Sequence, residues 1–218
     1  MNIDQIQYYF DRAKEYEQIY QKPERQEDLK QLRTILKDTF SGKSVLEIAC
    51  GTGYWTQFIS ETAKSILATD INESVIEIAQ SKKYHAPITF EKVDIFNLTN
   101  TNEKFDSGFG GFIWSHIPKQ KLDVFLSGFI SNISQGGLVV FIDTKYVEES
   151  NTHINSKDEY GNTYQIRTLS NGNNYKVMKN FPVDKEILDI IEPVGTEIEI
   201  EQLKYFWVLK FKVKNNAY

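Results

Sequence analysis

The sequence predicts an α/β chain in which a mainly parallel sheet carries helices on both faces. Three observations lead there. From residue 45 onward short apolar segments alternate with segments of helical period, the pattern of strand-helix-strand units. The first of these strands runs without a break into Gly51-Thr52-Gly53 and a helix start. Near the carboxyl end two strand-like runs are joined by too few residues for a crossover, so they must pair antiparallel.

Taken in order, the segment 4–20 places Ile6, Tyr9, Ala13, Tyr16 and Tyr20 at three- and four-residue steps along one side of a helix. Pro23 suits the first turn of a second helix, whose apolar side is Leu29, Leu32, Leu36 and Phe40 and which Gly42 ends. Strands are expected at 45–49, 65–69, 88–93, 105–109 and 138–142. The helices between them carry Trp55, Phe58 and Ile59, then Val75, Ile78 and Ala79, then Leu122, Phe125, Leu126, Phe129 and Ile133, with Gly136-Gly137 turning into the fifth strand. After Asp143 the pattern changes: 163–169 and 174–179 read as two strands around Asn171-Gly172, an inserted hairpin. A short helix follows at 184–192, with Ile187, Leu188 and Ile191 on its apolar side, and strands at 197–202 and 205–213 close the chain.

Length and composition narrow the function. At 218 residues, with no repeat or low-complexity tract, a single domain over 1–218 is expected. Its 25 Lys plus Arg against 30 Asp plus Glu give a formal charge of -5, so no general field draws in a phosphate backbone and a nucleic-acid substrate is disfavoured. The lone Cys50 forms no internal disulfide and reads as a packed thiol. Neither a basic-then-apolar leader nor an apolar run of membrane-spanning length is present, and a cytoplasmic protein is expected. No His, Cys and carboxylate cluster has ligand-like spacing, so no metal is expected. The sequence sets no subunit number.

The glycine turn carries the chemistry. Without side chains at Gly51 and Gly53 a ligand can lie against the backbone and face the N–H groups that open the next helix, although such loops also occur as plain tight turns. A dinucleotide fingerprint needs Gly-x-Gly-x-x-Gly or Ala, and counting from Gly51 the last position is Thr56. Read from Glu47, the run Glu47-x-Ala49-x-Gly51-x-Gly53 resembles the first motif of class I S-adenosylmethionine-dependent methyltransferases, Asp/Glu-x-Gly-x-Gly-x-Gly, with Ala49 in place of the first glycine. The likeness extends motif by motif over 45–143, and by topology to the last hairpin. The chain looks like a general methyltransferase-domain protein related to quinone-biosynthesis methyltransferases.

The resemblance implies a Rossmann-like seven-stranded mixed sheet, mainly parallel with an antiparallel last hairpin, plus amino-terminal helices and an inserted β-hairpin. It implies S-adenosyl-L-methionine as cofactor and methyl transfer to an O, N or C atom of a small-molecule acceptor. Residues 1–41 would form a helical lid, 42–143 the cofactor-binding core, 144–182 a substrate-side insertion and 183–218 the closing helix and hairpin. Asp70, about twenty residues past the loop at the end of the second strand, would bind ribose hydroxyls, with Ile71 beside the adenine. Asp94 would accept from the adenine amino group between the apolar walls Ile95 and Phe96; an Asx turn is the plain alternative. Three glycines in the fourth strand make sense if the methionine end lies near Gly110, or if the strand is bulged.

His116, past the fourth strand, is the candidate base, or else a structural histidine fixing the loop before Pro118. The leading helix (Tyr8, Tyr9, Tyr16, Tyr20) and the insertion (Tyr146, Tyr160, Tyr164, Tyr175, Phe181) are rich in aromatics. Tyr16 and Tyr20 are the foremost candidates to roof a ligand, and Arg167 is a candidate partner for an acidic acceptor group. Two other activities share this sequence pattern: a binding protein that holds S-adenosylmethionine or S-adenosylhomocysteine without turnover, and an aminopropyl transferase. The latter would be expected to carry acids near the fourth strand, where Gly110, Gly111 and Phe112 stand.

Overall fold

A computed structural model describes residues 3–98 and 104–215. The elements run α1 (Ile3–Arg12), a 3-10 stretch (Ala13–Gln21), α2 (Gln26–Phe40), β1 (Ser44–Ile48), α3 (Tyr54–Ser60), β2 (Ser65–Asp70), α4 (Glu73–Gln80), β3 (Ile88–Lys92) and β4 (Phe105–Gly111). They continue with α5 (Leu122–Ile130), β5 (Ile133–Thr144), β6 (Ser156–Lys157), β7 (Thr163–Thr168), β8 (Asn174–Met178), α6 (Asp184–Ile191), β9 (Gly195–Gln202) and β10 (Phe206–Val213). The main sheet has seven strands in the order β3-β2-β1-β4-β5-β10-β9. Strands β1 to β5 pair parallel, and β10 runs antiparallel to both neighbours.

Period-2 alternation divides the sheet's side chains between two cores. On β5, Val139 and Phe141 join a cluster with Phe125, Phe129, Ile187, Trp207 and Phe211 beneath α5 and α6. Val140 and Ile142 join the opposite cluster with Leu29, Leu32, Leu36, Phe40, Trp55 and Ile59 of α2 and α3. Both faces are thus apolar, which is why these strands read as continuous hydrophobic runs.

The structure departs from the sequence reading in four places. The helix expected over 4–20 is α-helical only to Arg12 and tightens to 3-10 over Ala13–Gln21, while its expected face still buries Ala13 and Tyr20. Ile133 belongs to β5 and not to the preceding helix, because β5 pairs with β4 from Ile133 and shifts register past Gly136, whose φ is 71°. The inserted hairpin gains a third strand, β6, against β7. Finally, the glycines of β4 make room for rings. A Cβ on Gly108 would meet Phe129 at 2.6 Å, and one on Gly110 would meet two ring carbons of Phe141 at 2.6 and 2.7 Å and Ile113 at 3.0 Å. The small residue at 110 follows from the packing of Phe141, and no ligand is needed to explain it.

Gly110→Ala is therefore expected to overpack the core and lower stability by about 1–3 kcal/mol. The readout is a lower urea midpoint with an unchanged m value. An unshifted midpoint would mean that Phe141 swings aside without cost.

Candidate functional site

The site forms where β1, β2, β3 and β4 end at the carboxyl rim of the sheet. Past β1 the chain must turn sharply under α4, and it does so with Ala49 at φ 50°, Gly51 at 56° and Gly53 at 76°. Backbone bonds from Cys50 N to Thr69 O (2.9 Å) and from Gly53 N to Cys50 O (3.0 Å) set the turn. The two glycines differ in use. A Cβ on Gly53 would collide with the Tyr84 hydroxyl and lie 3.0 Å from Ala79, so Gly53 lets α4 approach; at Gly51 the nearest atom would be Tyr16 Cε1 at 3.8 Å, so that position faces open space. Ala49 occupies a left-handed conformation that glycine adopts more cheaply. Cys50 is a buried thiol whose pKa burial pushes well up.

A niche opens above this turn, lined by Ala49, Gly51, Asp70, Ile71, Gly111 and Asn72 and roofed by Gln5, Ile6, Tyr9 and Tyr16. Asp70 is buried at its edge: Oδ2 accepts from Gly51 N (3.0 Å) and Oδ1 from Asn72 N (2.9 Å). Burial raises its pKa, and these backbone donors pull it back. A carboxylate has about four acceptor sites, so with Gly51, Asn72 and Ile71 as backbone donors Asp70 keeps capacity for a further one. Val93 N bonds to Asp70 O (2.9 Å), which sets the β3 exit beside the β2 exit and places Asp94 at the same rim. There Asp94 Oδ1 accepts from Phe96 N (3.0 Å), an Asx turn. Ile95 is buried with Leu46, Ile48, Ile113 and Phe125, and Phe96 packs on Phe125, so both serve the core. Neither they nor Asp94, Gly53 and Gly110 line the niche with α1 seated.

Glu47 lies beneath the loop, 1% exposed, and its Oε2 has no hydrogen-bond partner. Burial raises its pKa to about 8, with Thr56 nearby opposing the shift and Asp70 adding to it. At neutral pH the group is a buried carboxylic acid.

Beside the niche is a larger chamber of about 640 Å³ between α1, the 3-10 stretch and the inserted sheet. Tyr9, Tyr16, Phe112 and His116 line both spaces and form the wall between them. Phe112 holds a left-handed φ of 59°, an outlier for a bulky side chain, and packs against Tyr20, Trp55 and Phe206. The tyrosines 8, 9, 16 and 20 all line the chamber, as does Arg167. Of the aromatics in the insertion, Tyr146 and Tyr160 are exposed and Tyr164 bonds Asp158 (3.0 Å), away from it.

His116 is held from both sides. Its Nδ1 lies 2.6 Å from Met178 O, an acceptor only, so Nδ1 carries the hydrogen and Nε2 accepts from the Tyr9 hydroxyl at 2.7 Å. Burial lowers its pKa well below the usual value, and the positive charges of Lys179, Arg167 and Arg12 lower it further. The ring is neutral. Its loop is anchored by a buried cluster: Asp143 accepts from Ser115 N (2.9 Å) and Lys179 Nζ (2.7 Å), and Lys179 also donates to Ser115 Oγ (2.6 Å). Phe112, Lys179 and Arg12 escape sequence reasoning, since a positive φ, a long-range ion pair and a cavity-facing cation leave no local pattern.

Glu47 makes stability depend on pH. Its folded pKa lies above the ordinary carboxylate value, so between about pH 4.5 and about 8 the native state holds the extra proton and stability falls as pH rises. The expected slope reaches about 1.4 kcal/mol per unit. In Glu47→Gln this component vanishes, leaving the variant more stable than the parent above pH 8. Urea titrations of both from pH 5 to 9 check it, and parallel slopes would show that Glu47 stays charged.

Comparisons with known proteins agree with this geometry. A family model of methyltransferase domains matches residues 45–137. An uncharacterized methyltransferase of Anoxybacillus flavithermus is 28% identical over 116 residues, covering 53% of this chain and 53% of that protein. The malonyl-[acyl-carrier protein] O-methyltransferase of Bacillus cereus is 38% identical over 80 residues, covering 34% and 29%. The chain spans about half the length, or less, of the curated relatives it matches. Among solved structures, the complex of DhpI with SAM and HEP superposes with a TM-score of 0.80 at 22% identity over 96% of each chain. The DhpI complex with SAH gives 0.77 at 24% identity over 98% of this chain and 97% of that one; both likenesses concern the fold. With its matched methyltransferase domain over residues 45–137, its glycine turn and this strand order, the chain is similar to the class I S-adenosylmethionine-dependent methyltransferases.

Proposed function

We propose that this protein, acting in the cytoplasm, transfers the methyl group of S-adenosyl-L-methionine to an O, N or C atom of a small-molecule acceptor by in-line displacement. The carrying observation is the shared wall: a nucleoside-type niche and a separate chamber meet at Tyr9, Tyr16, Phe112 and His116. Among the described residues no helix is long and apolar enough to cross a membrane, and no group of three His, Cys, Asp or Glu could hold a metal ion.

The residues present suit the cofactor. Gly51 offers open backbone, Asp70 has acceptor capacity for a ribose hydroxyl, and Glu47 has an unpartnered oxygen below the loop. Ile71 gives the niche an apolar side. When bound, S-adenosylmethionine supplies a methyl group already activated by its sulfonium, and displacement leaves the electron pair on sulfur as neutral S-adenosylhomocysteine. The chain's task is then to align the acceptor and exclude water, where proximity carries much of the rate. The roof does this: Tyr9 and Tyr16 cover both spaces, and the Asn72 side chain bonds Ile6 O at 3.3 Å to seat α1. His116 shapes the wall with its acceptor nitrogen engaged by Tyr9, and would take a proton only after that hydroxyl lets go.

The cations around the chamber argue against a polyamine, and so against an aminopropyl transferase. Incubation with methyl-labelled cofactor and a metabolite extract is expected to give a labelled acceptor. Tight S-adenosylhomocysteine binding with no product would favour a non-catalytic binder.

Asp70→Ala should weaken S-adenosylhomocysteine binding by about 1.5–3 kcal/mol in calorimetry, the worth of a charge-assisted hydrogen bond. Equal affinities would remove Asp70 from the site. For His116→Ala the expected turnover at saturating cofactor lies within about tenfold of the parent, with a lower melting temperature from the lost Met178 and Tyr9 bonds. A drop of about 10²–10⁴ would identify a general base.

A further inference from the structure

Given that the chamber is the acceptor site, we propose that the acceptor carries an anionic oxygen group, a carboxylate or a phosphorus oxyanion, and that Arg12 and Arg167 bind it. The chain is acidic overall, with a formal charge of -5, yet this one cavity gathers Arg12, Lys22, Arg25, Arg167 and Lys179 against Glu15 and Glu149. The cations are not equivalent. Lys179 is committed to Asp143 at 2.7 Å. Arg25 and Lys22 are committed to Ser150, whose carbonyl accepts from both (2.8 and 2.6 Å) and whose hydroxyl accepts from Arg25.

Arg12 and Arg167 have no such commitment. Their guanidinium carbons stand 5.5 and 5.7 Å from the centroid of the Tyr8 ring, so both charges lie against one aromatic residue of the chamber wall. Among the described residues no carboxylate oxygen lies within 4.0 Å of either guanidinium. Arg167 donates to Gln165 Oε1 at 2.8 and 3.2 Å, and its other polar neighbours, the Tyr8 and Tyr9 hydroxyls, are neutral as well. Both groups are half-buried and permanently charged, and they lose hydration that an anion bound in the chamber would replace. The planar guanidinium fork matches the paired oxygens of a carboxylate or phosphoryl group. Both charges also act on Tyr9 and His116, the wall shared with the cofactor niche, so an anion bound here sits next to the niche. A neutral or cationic acceptor would gain nothing from this arrangement.

Calorimetry on the full chain tests the inference in two stages. S-adenosylhomocysteine is titrated first; no binding there would defeat the methyltransferase reading itself. The complex is then titrated with malonate, inorganic phosphate and neutral malonamide. Saturable binding of malonate or phosphate and none of malonamide is expected, and the stronger of the two anions identifies carboxylate or phosphorus chemistry. Arg167→Gln and Arg12→Gln should each weaken that anion about tenfold or more, while Arg167→Lys should recover part of the loss. Thermal melts of each variant confirm that it is folded. Binding of S-adenosylhomocysteine with no anion binding, or anion affinity unchanged in both folded Gln variants, would overturn the proposal.

Discussion

The rim of the sheet depends on one buried ion pair, Asp143 with Lys179. Asp143 is fully buried at the end of β5, and Lys179 is nearly so just past β8. Removing two charges from water costs several kcal/mol per ion, so the pair persists only because other donors complete it. Ser115 N and Thr144 N donate to Asp143, and Ser115 Oγ accepts from Lys179. Those donors come from the core strand, from the loop after β4 and from the inserted sheet, and the pair therefore binds three otherwise separate pieces. Asn180 extends the junction: its N–H donates to Ser115 O, and its side chain to Ile117 O. The position of His116, and with it the wall between the two cavities, follows from this junction.

The amino-terminal helix is attached to the same rim through polar bonds of a different kind. Tyr9 meets His116, Tyr175 meets Asp11, and Glu17 receives both Thr52 and Lys82. With α1 seated, the niche retains only about 60 Å³, room for a few waters. A nucleoside entering it would have to displace part of this roof, and single hydrogen bonds net about 1 kcal/mol each, which makes such a roof removable. The core beneath, with its interlocked rings, offers no comparable freedom.

Much of the frame was legible because it rests on local periodicity. The order of strands, the glycine turn, the acids at the ends of β2 and β3 and the closing hairpin all follow from spacing along the chain. What could not be read depends on contacts between distant residues. The glycines of β4 suggested a ligand until Phe129 and Phe141 were seen to fill their space. The change from α to 3-10 at Ala13 leaves the buried side of the segment unchanged, so its pattern of apolar residues cannot report it. Similarly, Gly51 and Gly53 look alike in the motif, yet one faces the niche and the other accommodates α4. Ala49 shows the reverse case: the sequence marks a departure from the motif, and the backbone keeps the left-handed turn regardless.

Charge is divided across the rim. Asp70 and the protonated Glu47 lie on the niche side of the Tyr9, Tyr16, Phe112 and His116 wall, while the uncommitted arginines lie on the chamber side. The wall itself is aromatic and uncharged, with the imidazole kept neutral by burial, by Lys179 and by those same arginines. Such a partition sorts ligands before any contact forms: a positively charged group is drawn to the carboxyl side and repelled by the other, and an anion the opposite. Because the wall carries no charge of its own, it screens neither field, and two ligands of opposite sign placed on its two sides attract through a medium of low dielectric. On the proposed reading, specificity for both ligands and their mutual approach would arise from one arrangement of side chains, held in place by the buried pair of Asp143 and Lys179.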